Sequence, residues 1–69
     1  MTKTDVEFRW RDMTFECEMP EGYVLEAEFY EGAYHWTVKH RGKTVEDGRA
    51  SILTNAKKAA QFAYLRLVA

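Results

Sequence analysis

Apolar side chains recur at every second position through most of residues 6–47, the period of a strand with one face buried and one wet. Val6, Phe8 and Trp10 alternate with Glu7 and Arg9, and Met13, Phe15, Cys17 and Met19 alternate with Thr14, Glu16 and Glu18. Leu25, Ala27 and Phe29 keep the rule, as do Tyr34, Trp36 and Val38, and a shorter, weaker strand is expected around Lys43 to Asp47. Arg11-Asp12, Pro20-Glu21-Gly22, Glu31-Gly32 and Arg41-Gly42 are the breaks between these runs, and Gly48 is expected to end the last strand or to form a bulge.

A hairpin folded about each break must set apolar residues opposite apolar ones, because a slip of one residue turns the whole apolar set to the other face. Folding about Arg11-Asp12 sets Trp10 opposite Met13, Phe8 opposite Phe15 and Val6 opposite Cys17. Folding about Glu21 sets Cys17 opposite Leu25, Phe15 opposite Ala27 and Met13 opposite Phe29, and folding about Glu31-Gly32 sets Phe29, Ala27 and Leu25 opposite Tyr34, Trp36 and Val38. Three hairpins agree on one apolar face. In residues 52–69, Leu53, Ala56, Ala60, Ala63 and Leu67 repeat at three- and four-residue steps, which predicts a helix over about 54–67, capped by Ser51 or Thr54, with Phe62 and Tyr64 at its edges. The expected fold is α+β: an antiparallel four- to five-stranded β-meander with one C-terminal α-helix packed on its apolar face.

A chain of 69 residues has room for one core, so residues 1–69 are read as a single domain. Hydrophobic residues make up 46% of it, too many for a disordered segment, and 30% charge with no long apolar run excludes a membrane-spanning stretch. One cysteine supplies no disulfide staple, and no apolar stretch follows the basic start as a secretory signal requires, so a reducing cytoplasm is expected.

The net charge of −1 conceals a segregation. Residues 1–31 carry nine carboxylates against Lys3, Arg9 and Arg11, for −6, whereas residues 32–69 carry seven cations against Glu46 and Asp47, for +5. The strand register collects the acidic residues on the uncovered sheet face. Glu7 is expected beside Glu16, Glu16 beside Glu26, Glu26 beside Thr37 and Thr37 beside Glu46, with neighbours roughly 5 Å apart. Asp5 and Glu18 form a second pair with Glu28 close by, and Arg9 and Lys39 are the cations sharing that face. Like charges directly opposite one another destabilise a sheet, and a surface meant only for solubility intersperses its signs. Asp5, Glu7, Glu16, Glu18, Glu26 and Glu28 are therefore the candidate partner-binding residues, fitted to a protein with a basic surface. Direct nucleic-acid binding through Arg49, Lys57 and Lys58 is the alternative, and a homodimer is compatible with either.

Other chemistry finds little support in the residues. Glu side chains spread over a flat sheet make no closed oxygen cage, and His35 and His40 fall on opposite faces, so no metal or other cofactor is expected. Cys17 falls on the core face, and His35 is expected to make a surface ion pair with Glu28, with no serine or cysteine nucleophile on its face. No glycine-rich phosphate loop, Cys-x-x-Cys or His-Glu-x-x-His spacing is present, so an enzyme is not expected.

Two resemblances refine this reading. Trp36-x-Val38, Gly42, Val45, Gly48-x-Ala50-Ser51, Ala56-Lys57 and Ala59-Ala60, over residues 36–63, resemble the C-terminal part of a double-stranded-RNA-binding domain. That resemblance implies phosphate contacts at Lys57, with Lys58 nearby, although the family opens with a helix where residues 1–20 here read as strands. In size and charge style the whole chain resembles the very small, acidic, sheet-plus-helix proteins encoded by bacteriophages, among them anti-CRISPR and anti-restriction inhibitors. This implies a rigid nucleic-acid mimic, acting in the bacterial cytoplasm by contact with a CRISPR-Cas or other nucleic-acid-handling complex.

Overall fold

The computed structural model describes residues 6–11 and 15–69. Among them lie β1 (Glu16–Glu18), a 3-10 turn (Pro20–Gly22), β2 (Tyr23–Tyr30), β3 (Ala33–His40), β4 (Lys43–Ala50) and α1 (Leu53–Val68). The strands form one antiparallel sheet in the order β1-β2-β3-β4, with α1 over β3 on one face and flanked by β2 and β4. The fold is the expected α+β meander with its C-terminal helix.

The β2–β3 and β3–β4 connections are two-residue loops in which both positions are left-handed: φ is 51° and 83° at Glu31-Gly32, and 54° and 86° at Arg41-Gly42. Such loops match the right-handed twist of the strands they join, which locks the register. Leu25 faces Val38, Ala27 faces Trp36 and Phe29 faces Tyr34, while Cys17 faces Leu25, all as the alternation requires. Leu25, Val38 and Cys17 are the largest fully buried side chains, and Ala56, Ala60 and Ala63 are fully buried above them. The alanines bring α1 close enough for the Trp36 indole to fill the space between helix and sheet.

Several expectations are corrected. Residues 6–10 form no strand, and the isolated bridge beside them joins Arg11 to Glu16. Phe15 takes a left-handed φ of 49°, its N–H donates to the Arg11 carbonyl at 2.7 Å, and Arg11 stands opposite Glu16, a register different from a fold about Arg11-Asp12. The aromatics that mimicked a strand pack on the helix instead. Phe8 meets Tyr64 edge to face with centroids 6.0 Å apart, and Trp10 Nε1 donates to Gln61 Oε1 at 2.9 Å. Met13 and its expected pairings lie outside the described residues.

The last strand is neither short nor ended by Gly48: β4 runs eight residues, and Gly48 pairs with Trp36 inside it. The irregularity lies instead between Val38 and Lys39, where Val38 pairs with Glu46 but Lys39 with Thr44, leaving Val45 as the extra residue. At the start of α1, Ile52 occupies the cap position with no side-chain hydrogen bond, so neither Ser51 nor Thr54 caps it. Tyr64 belongs to the core, whereas Leu67 near the end of α1 and Phe29 near the end of β2, both on the expected apolar stripes, are exposed.

Candidate functional site

The uncovered face of the sheet collects Glu16, Glu18, Glu26, Glu28 and Asp47 against Lys39 and Arg49. Glu16 and Glu26 are direct register partners, with Thr37 next to Glu26 on β3. The row ends on Asp47, not Glu46, because the extra residue at Val45 displaces β4 by one position. Glu46 is thereby turned to the helix side, opposite Val38, where it bonds the Arg66 guanidinium of α1.

The structure brings some of the candidate carboxylates together and separates others. Glu7 is not beside Glu16, since it lies outside the sheet and pairs with Arg9 at 3.0 Å. Glu18 faces Val24 and lies 3.8 Å from Arg11, and Glu28 faces His35 across β2 and β3. Asp5 lies outside the described residues. Lys39 Nζ sits 3.4 Å from Glu26 Oε1, a diagonal contact between strands that direct-pair reading overlooks. Alternation alone already puts Lys39 on this face, and counting the diagonal neighbours of Glu26 would have set it against that carboxylate, while treating Gly48 as the natural partner of bulky Trp36 would have found Asp47.

The cationic set Arg49, Lys57 and Lys58 does not share one surface. Arg49 is on the open sheet face opposite His35, whereas Lys57 sits over the Trp10 and Phe15 rings at 5.3 and 5.6 Å from their centroids. Lys58 is exposed on the helix. A shallow depression of about 390 Å³ lies between β3 and β4, lined by His35, Trp36, Thr37, Asp47, Gly48 and Arg49, with the Thr37 hydroxyl beside the His35 imidazole and the Asp47 carboxylate in that lining. His35 Nε2 lies 3.1 Å from the Tyr30 carbonyl oxygen, an interaction that takes the place of the expected ion pair with Glu28. Among the described residues, no group of three His, Cys, Asp or Glu side chains could hold a metal ion. No helix among them is long and apolar enough to cross a membrane.

Two titrating groups belong to the core. Burial pushes the Cys17 thiol above its ordinary value of 9.0, against a backbone hydrogen bond from Arg9 and the charge of Lys57, which pull it down. Burial also raises the Tyr64 phenol above 10.0, assisted by Glu21, Tyr23 and Cys17. Both groups hold their protons more tightly folded than unfolded, so the unfolded chain releases them first. Stability is therefore expected to hold through neutral pH and to fall as pH rises past 9.0, where the unfolded thiol ionises. Urea midpoints measured from neutral to strongly alkaline pH check this, and a midpoint insensitive to pH above that value would contradict it.

No protein-family model matches the chain, and comparison with curated proteins and with solved structures finds no match to either.

Proposed function

We propose that this domain is a protein-binding module whose open sheet face docks, through Glu16, Glu26, Glu18 and Glu28, on a surface rich in Lys and Arg. The observation that carries the reading is the direct opposition of Glu16 and Glu26 at the edge of an uncovered face. A like-charged cross-strand pair costs the sheet up to about 1 kcal/mol, and a basic partner converts that cost into attraction. Asp47 extends the negative row across Thr37. The partner class is a nucleic-acid-handling complex of a bacterial host, and the module acts as an inhibitor of the phage-encoded kind by occupying a channel lined for phosphates. Binding, rather than catalysis, is the reading that an open face with only a shallow depression supports.

Substituting Glu16→Gln together with Glu26→Gln tests it. Relief of the Glu16–Glu26 repulsion offsets the loss of the exposed Glu26–Lys39 pair, so stability should move by less than about 1 kcal/mol. Capture of partners from a bacterial lysate should weaken, and what remains should depend less on salt. Equal capture by native and substituted protein, or no salt-sensitive partner for the native protein, would sink the proposal. A gel-shift panel of double- and single-stranded nucleic acids should show no complex, and a shift there would favour the cationic residues instead.

A further inference from the structure

The two edges of the sheet differ. On one side β1 is three residues long and is followed by the Arg11 bridge, so little backbone is left to pair. On the other side β4 offers eight residues with β3 as their one neighbour in the sheet among the described residues, and a long edge of this kind is a template for another strand.

We infer that β4 pairs antiparallel with β4 of a second copy of this chain, about a two-fold axis at Gly48, giving a continuous eight-stranded sheet. The charges of the edge select the register. With Gly48 on the axis, Asp47 of each copy faces Arg49 of the other, twice, on the open face. With Glu46 or Asp47 on the axis, that carboxylate faces its own copy, and like charges directly opposite are destabilising. A shift of a single residue would pair the open face of one copy with the helix face of the other. Val45 limits the regular ladder at one end, because the extra residue there puts Lys43 and Asp47 on opposite faces.

The helix side fits the same axis. Arg66 reaches Glu46 on β4, which shows that the flank of α1 carrying Ala59, Phe62 and Arg66 is turned toward this edge. Phe62 on that flank is 63% exposed, and Ile52 and Val45 at the two ends of the strand are 54% and 45% exposed. Pairing along β4 sets the two β3 strands about 14 Å apart, at just under 5 Å per strand. Each β3 carries its own helix. Helices in direct contact lie about 8–10 Å apart, so a gap of several ångström is left for side chains as large as Phe62. In this register Ser51 comes opposite Val45 of the other copy, with Ile52 next to it, so the exposed apolar residues beside the edge gather along the seam.

The experiment is sedimentation velocity on the full chain over a range of concentrations, with circular dichroism to confirm that each variant is folded. The native protein should show a concentration-dependent dimer. Asp47→Arg and Arg49→Asp should each raise the dissociation constant by about tenfold or more, since each replaces two attractive pairs with two repulsive ones. The charge swap combining both substitutions should restore dimerisation. Phe62→Ser should weaken it without altering the monomer, and Glu16→Gln with Glu26→Gln, on β1 and β2 away from β4, should leave it unchanged, which separates this interface from the acidic docking face. A native chain that stays monomeric to ~1 mM, or a dimer indifferent to Asp47→Arg or not restored by the swap, would overturn the inference.

Discussion

Replacing Trp36 with alanine is expected to destabilise the domain by about 3–5 kcal/mol. The indole is 9% exposed and belongs to the same buried cluster as Leu25, Val38 and the helix alanines Ala56, Ala60 and Ala63. Its register neighbours are Ala27 on one side and Gly48 on the other, so no large side chain is placed to relax into the space it would vacate. Small-to-medium domains are held by about 5–15 kcal/mol, and a chain of 69 residues belongs near the lower bound. The variant should therefore be largely unfolded at 37 °C, or melt with a much lower midpoint. Urea titration followed by far-ultraviolet circular dichroism measures this without depending on the fluorescence of Trp10. A loss below about 1 kcal/mol would show that the helix is held on the sheet by other contacts.

The same indole marks where strand alternation stops being sufficient to read the fold. Between β2 and β3 the alternation and the Glu31-Gly32 loop agree, and the register from Leu25 to Phe29 follows from the residues alone. Between β3 and β4 the alternating pattern is thin, because the helix-side positions of β4 are Glu46, Gly48 and Ala50. A strand whose inward residues are a carboxylate, a glycine and an alanine has no hydrophobic signature. What places it there is the bulk of Trp36, the Val45 irregularity and the Arg66 bond to Glu46, all of them tertiary. Residues 6–10 show the converse failure. Val6, Phe8 and Trp10 have the period of a strand, but alternation reports that one side of a segment is covered and is silent on what covers it. Here the cover is the flank of α1, through Tyr64 and Gln61. The acidic row was legible where the register was legible, at Glu16, Glu26 and Thr37, and it shifted to Asp47 where the register shifted. The cations opposing it, Arg11 at Glu18 and Lys39 at Glu26, are diagonal or turn-borne contacts that pairwise strand reading does not reach.

Gly48 supplies the second large effect, and it is linked to the first. Its backbone is ordinary extended strand, outside the left-handed region that Gly22, Gly32 and Gly42 occupy. Glycine is required there by the neighbour, not by the chain: a Cβ would stand 2.6 Å from Trp36 Cζ2 and 2.8 Å from Cε2, and both atoms belong to a buried ring. Gly48→Val should therefore cost about 1–3 kcal/mol through overpacking, despite replacing a poor strand former with a good one. In the Trp36→Ala background the ring is gone, and the valine has both room and the conformational preference for a strand. The same substitution should then be neutral or stabilising by up to about 1 kcal/mol. The two sites should accordingly be coupled by at least about 1 kcal/mol, with the double variant more stable than the sum of the two single losses predicts. Since Trp36→Ala alone leaves little folded protein, the cycle is best measured with Trp36→Phe as the milder truncation. Additive losses across that cycle would mean that the indole can swing away from Gly48 at no cost, and that the close approach of ring to backbone does not set the register of β4.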